Sequence, residues 1–292
     1  MRRVLWFIKH IHYSICLLFG DAMKFLKLFL LCFISSAAVV CGAVMDLSFS
    51  GAVSTYSSVN DSLSLYVENA ATGAGAPDVD IRITSLSAYY PDTIAKGDDN
   101  NGEIDDGDHL RIHLDVGTAT RFRFELLDGD TGQRYNPQDS YEYNLLAYDL
   151  DGTLSTKGGA DILTVFSSMF YTVTASTALD IEVDPGASIS FSDINAGEVL
   201  GQNGITQDTF TAAQQNISVM MTFTDAMWDF EYAVDTTSLD DGSGRNLLFD
   251  AGSLTFTEET IVQNFVVPEP AVASLIGIVG AVALFVRRRF RG

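Results

Sequence analysis

From Asp46 to Phe265 the apolar residues of this 292-residue chain recur every second position. Leu63, Leu65 and Val67 alternate with Ser62, Ser64, Tyr66 and Glu68, and Val79, Ile81 and Ile83 alternate with Asp80, Arg82 and Thr84. A period of two puts one row of side chains on each face of an extended strand, so this pattern demands sheets with one buried face. The same signature runs through Leu110–Val116, Thr120–Leu127, Tyr141–Tyr148, Phe170–Ala175, Leu179–Val183, Ile217–Phe223, Trp228–Val234 and Asn246–Phe256. Between these runs stand turn clusters, among them Asp128-Gly129-Asp130-Thr131-Gly132, Asp184-Pro185-Gly186 and Asp240-Asp241-Gly242-Ser243-Gly244. No stretch of the body sustains a helical stripe for three turns. Short strands punctuated this way predict an all-β fold, an antiparallel β-sandwich or jelly roll, over residues 44–256, with 257–267 a tether beyond it.

Both ends of the chain have a different composition. Residues 1–43 read as a leader and signal peptide. The true start is open between Met1 and Met23; from Met23 the order is Lys24 and Lys27, an apolar run from Leu28 to Val40, then small residues, with cleavage after Ala38 or Ala43. Cys41 raises a lipoprotein alternative, which Val40 argues against because a small residue is required there. All three cysteines, Cys16, Cys32 and Cys41, lie in this leader, so the body must hold together without disulfides.

At the other end, residues 268–292, Val267, Pro268, Glu269 and Pro270 lead into an uncharged run of 16 residues, Ala271–Val286, followed by Arg287, Arg288, Arg289 and Arg291. As a helix that run is about 24 Å long, short of the ~30 Å hydrocarbon core, and therefore a marginal transmembrane anchor. The basic cluster favours a cytoplasmic end, with the body on the far side of the membrane. In this order of parts the tail resembles the PEP-CTERM sorting signal of Gram-negative bacteria. The resemblance implies recognition by an exosortase, after a signal peptidase has acted in front, with the membrane helix a transient anchor. It also implies delivery of the body to the cell surface or the extracellular polysaccharide matrix. An ordinary single-pass anchor is the alternative.

Residues 44–267 hold 36 carboxylates against eight basic side chains, a formal charge of −28. Such a field disfavours nucleic acid and anionic lipid as partners. It favours cations, or carboxylates spread over a solvated surface. One stretch concentrates oxygen ligands: Gly97 to Asp108 contains Asp98, Asp99, Asn100, Asn101, Asp105 and Asp108, the candidate calcium ligands. Laid on the helical-hand calcium loop, Gly102 falls on the turn glycine, but Gly97 occupies the first ligand position and no helices flank it. The loop is more similar to the Asp/Asn/Gly-rich loops that open strands in immunoglobulin-like secreted modules. Plain solvated turns use the same residue types. His109 and His113, four apart on a strand, would share a face at a separation of about 13 Å, too far for one metal, and are expected to face solvent.

No catalytic constellation stands out. The body lacks cysteine, a Gly-x-Ser-x-Gly elbow and a Gly-rich phosphate loop with lysine. With this many carboxylates, a glycosidase-like pair arises by chance. Trp228, Phe230 and Tyr232 share a face that is more often core than sugar platform. The expectation is an exported, non-enzymatic sandwich whose partner is extracellular polysaccharide; a carbohydrate-binding module and a polysaccharide-cleaving enzyme are the alternatives.

Overall fold

The computed structural model describes residues 43–72, 76–91, 101–104, 109–135, 141–150, 160–192, 211–235, 244–251, 256–257 and 259–267. In chain order the strands are β1 (Ala43–Met45), β2 (Val53–Ser57), β3 (Ser62–Val67), β4 (Val79–Ser85), β5 (Gly102–Ile104), β6 (His109–Leu114), β7 (Ala119–Asp128) and β8 (Tyr141–Tyr148). They continue with β9 (Asp161–Val165), β10 (Met169–Thr174), β11 (Asp180–Asp184) and β12 (Ser188–Ser192). After the single-turn helix α1 (Ala212–Asn216) come β13 (Val219–Phe223), β14 (Met227–Val234), β15 (Arg245–Asp250) and β16 (Thr260–Phe265). Among the described residues no helix is long and apolar enough to cross a membrane.

The strands form two sheets. The first runs β16-β10-β13-β8-β15-β6-β5, with β1 added in parallel to the first half of β8; the second runs β11-β12-β9-β14-β7-β4-β3-β2. Every other pairing is antiparallel. From β6 to β15 the chain shuttles between the sheets at every step, β6 in the first, β7 in the second, β8 in the first, except at β11 and β12, which are paired neighbours in the second. Alternation dictates what each strand buries: β14 sends Trp228, Phe230, Tyr232 and Val234 inward and leaves Asp229 and Glu231 outward.

The two inner faces meet in one core. At its centre Tyr143 and Phe223 of the first sheet stack with Phe124 and Trp228 of the second in a closed set of four rings. Centroids lie 4.2 to 5.8 Å apart and planes within 28° of parallel. Stacked pairs of this kind contribute beyond the area they bury. The gap in this core bounded by Phe49, Ile83 and Phe249 is too small to admit a water.

A second, smaller apolar cluster, Leu146, Tyr148, Leu248 and Phe256, lies on the outer face of the first sheet. It explains a departure from expectation. His109 and His113 do share the outer face of β6, but each is only 3% exposed, not solvent-facing. His109 packs edge-on against Tyr148 at 5.5 Å. His113 Nδ1 lies 2.8 Å from Asn246 Oδ1, and Gly244 passes so close that a Cβ there would fall 2.5 Å from His113 Nε2.

The stretch read as a tether also differs. Residues 260–265 form the edge strand β16, paired with β10 over six residues. Its first five residues are exposed on both faces, so it lacks the in-out contrast by which strands are found.

Candidate functional site

Of the six candidate calcium ligands, Asp98, Asp99, Asn100, Asp105 and Asp108 lie outside the described residues. Asn101 lies within them and is built into the fold. Its amide nitrogen donates to the Tyr89 hydroxyl at 2.8 Å, and its amide oxygen accepts from the His113 backbone N–H at 2.9 Å. The Tyr89 hydroxyl donates in turn to the His113 carbonyl, closing a ring of three buried residues. Burial pushes the Tyr89 phenol well above its ordinary range, the Asn101 hydrogen bond opposing it.

This ring fixes where the acidic stretch enters the sheet. The next residue, Gly102, has φ +103°, open to glycine at little cost, and a Cβ there would lie 3.3 Å from the Ala52 carbonyl. Glu103 then accepts from the Gly51 N–H at 2.7 Å, joining the β5 edge of the first sheet to the approach of β2, the edge of the second. Ile104 pairs with His109, so β5 and β6 lie antiparallel on either side of residues 105–108 in the sequence. Both acidic segments therefore attach to one short edge strand whose entry is locked to the core.

Of the residues expected to form a sorting signal, Val267 is described and Pro268, Glu269, Pro270, Arg287, Arg288 and Arg289 lie outside the described residues. Val267 is held at both polar groups: its N–H donates to Ser168 Oγ at 2.8 Å and its carbonyl accepts from the same hydroxyl at 3.2 Å. The body thus ends in a fixed residue, on the β9–β10 connection, immediately before Pro268.

Two polar arrangements were not anticipated. The first is buried and joins the sheets. Asp161 of β9, fully buried, accepts from Arg245 Nε at 2.8 Å and Nη2 at 2.7 Å, and from the Tyr232 hydroxyl at 2.6 Å. Arg245 opens β15 in the opposite sheet, so this two-point ion pair crosses the core. Burial, followed by the Asp161 charge, pushes the Tyr232 phenol well above its ordinary range. Asp161 occupies an inward position of β9 with Leu163 and Val165, the register of an apolar residue.

The second is the outer face of the second sheet. Cross-strand neighbours there pair guanidinium with carboxylate: Arg82 with Glu125 at 2.8 Å, and Arg121 and Arg123 with Asp229 at 3.2 and 2.8 Å. The Arg121 guanidinium also lies 4.1 Å over the Phe166 ring. Thr164 and Ser190 share a hydrogen bond at 2.8 Å, and Tyr66 donates to Asp80, which holds the Tyr66 phenol up at about 12. The register sets Thr55, Ser64, Thr84, Arg123 and Asp229 side by side across five strands. Three of the body's eight basic side chains stand on this one face.

The aromatic residues are placed otherwise. Trp228, Phe230, Tyr232, Tyr143, Tyr89 and Tyr171 are buried, and Trp228, Phe230 and Tyr232 form the expected core row. Tyr90, 47% exposed, is the most open aromatic side chain among the described residues. No group of three or more His, Cys, Asp or Glu side chains able to hold a metal occurs among the described residues.

No family model matches the chain, and no curated protein matches it. Solved structures similar to it include the N-terminal domain of the Streptococcus gordonii adhesin Sgo0707, with 11% identity, a TM-score of 0.35 and 64% of this chain against 46% of that one. The adhesin domain of PrgB from Enterococcus faecalis gives 12%, 0.35, 74% and 65%, and the glucan binding protein C of Streptococcus mutans 10%, 0.34, 74% and 59%. The chain spans about half to two thirds of these structures. TM-scores of this size establish neither a common family nor a common function.

Proposed function

We propose that this chain is an exported, non-enzymatic β-sandwich protein that acts by surface contact, with extracellular polysaccharide as its partner. The observation that carries the reading is the outer face of the second sheet. It is accessible, and it carries aligned hydroxyl, carboxylate and guanidinium groups, the donors and acceptors that a chain of sugar hydroxyls can meet. Export rests on the two ends of the sequence: a leader for signal peptidase, and a PEP-CTERM-like tail, from Val267-Pro268-Glu269-Pro270 to Arg287–Arg289, for an exosortase. Calcium on the acidic segments flanking β5 would neutralise part of the −28 charge.

The test is retention of the exported protein on matrix polysaccharide from its own host. Arg123→Gln combined with Asp229→Asn should weaken retention at least several-fold with the fold intact; unchanged retention would remove the face from consideration. A second reading, a carbohydrate-binding module with a defined ligand, is favoured by exposed Tyr90. It requires that Tyr90→Ala abolish binding of a soluble glycan. Turnover of that glycan would instead make the protein an enzyme. Mass spectrometry of the mature chain checks the sorting reading separately: its last residue should lie close to Pro268.

A further inference from the structure

The two flanks of the sandwich are unlike. On one, Glu103 ties β5 to the loop before β2. On the other, β16 ends the first sheet and β11 ends the second, and among the described residues nothing pairs with the outer edge of either. These two edges border the same flank, because their inner neighbours β10 and β12 meet across the core through Tyr171 and Phe191, 5.4 Å apart. Apolar side chains are left open there. Ile261 faces inward opposite Val173 yet is 41% exposed, Val262 points outward at 64%, and Val183 of β11, opposite core residue Ile189, is 51% exposed.

An open edge is a template for another strand, and natural sheets guard such edges with charge, proline or a bulge. β11 is guarded by Asp180, Glu182 and Asp184. β16 is not: Thr260 to Val267 is eight consecutive residues without charge or proline, in a body of formal charge −28. Charge therefore decides where two copies can meet. Joining β11 to β11 would bring three carboxylates from each copy together, whereas joining β16 to β16 brings none.

We propose that β16 pairs edge to edge and antiparallel with β16 of a second copy of this chain, extending the first sheet across a two-fold axis. Pairing one strand with itself is isologous, so the assembly closes at two. Val262 and its neighbours then cover each other.

Sedimentation velocity on the full chain tests this, with Cys16, Cys32 and Cys41 replaced by serine and micelles in excess over protein. The wild-type chain is expected to sediment as a dimer, more so as sodium chloride rises from about 0.05 to about 0.3 M, because salt screens the repulsion between two acidic bodies. Val262→Lys, at an outward position, should leave the melting temperature unchanged and weaken pairing about tenfold or more by charging the edge. Val183→Lys should leave pairing intact. A chain monomeric at every salt concentration overturns the proposal, as does a Val262→Lys chain that pairs like wild type, or pairing lost on Val183→Lys alone. Failure here leaves the polysaccharide reading untouched, since that reading concerns the opposite sheet's outer face.

Discussion

Asp161 shows how much one side chain can hide from a sequence and hold in a structure. It sits where β9 would carry an apolar residue, and its carboxylate meets a guanidinium and a phenol that arrive from two other strands, one in the facing sheet. Removing one partner of a buried pair leaves the other charge uncompensated, at a cost of about 3–5 kcal/mol. Arg245→Ala is therefore expected to lower the melting temperature by about 10 °C, followed by circular dichroism. The phenols give a second expectation. Tyr66, Tyr89, Tyr143 and Tyr232 all have folded-state values raised above the ordinary 10, mainly by burial for Tyr89, Tyr143 and Tyr232 and by the Asp80 hydrogen bond for Tyr66. The unfolded chain then loses phenolic protons first. Stability should be level below pH 10 and fall as pH climbs toward 12 and beyond, with phenolate absorbance appearing together with unfolding. β9 escaped the sequence reading because Asp161 breaks the apolar row that would have marked it, whereas Trp228, Phe230 and Tyr232 were legible as core because nothing interrupts theirs.

Among elements, the strands that alternation revealed are the ones with one face in the core: β3, β4, β6, β7, β8, β10, β13 and β14 all fall on predicted runs. β11 was also found, although it is an edge. β15 was found too, but stops at Asp250, short of the Phe256 expected. β1, β2, β5 and β16 were not, being short or lying at edges where neither face is fully covered, and β12 was missed as well, an interior strand with only Ile189 and Phe191 to mark its buried face. The acidic stretch was legible as a feature, but its anchoring was not, since the ring of Asn101, Tyr89 and His113 joins residues 12 and 24 positions apart. Asn101→Ala should leave the His113 N–H without its acceptor, costing about 1–3 kcal/mol. Faster hydrogen exchange in β5 and β6 than in β14 would show it. Calcium is expected to raise the melting temperature of the protein, and Asp105→Ala with Asp108→Ala to abolish that rise; a melt indifferent to chelator would rule the ion out.

For the whole molecule, the fold class followed from periodicity, but the order of strands did not. A chain that crosses from sheet to sheet at almost every connection after β6 brings together residues far apart in sequence, and local pattern carries no record of those pairings. Net charge acts at this scale as well. With 36 carboxylates against eight basic groups in residues 44–267, adding sodium chloride up to about 0.2 M should raise the melting temperature even without calcium. The hydroxyl clasp of Ser168 on Val267 gives the end of β16 a definite heading. Two such strands laid antiparallel would point their Val267 ends in opposite directions, so on the proposed sorting reading copies held by their tails in one bilayer could not join this way. On that reading, copies sharing one bilayer would pair only once released from it, whereas copies held in separate micelles meet no such bar.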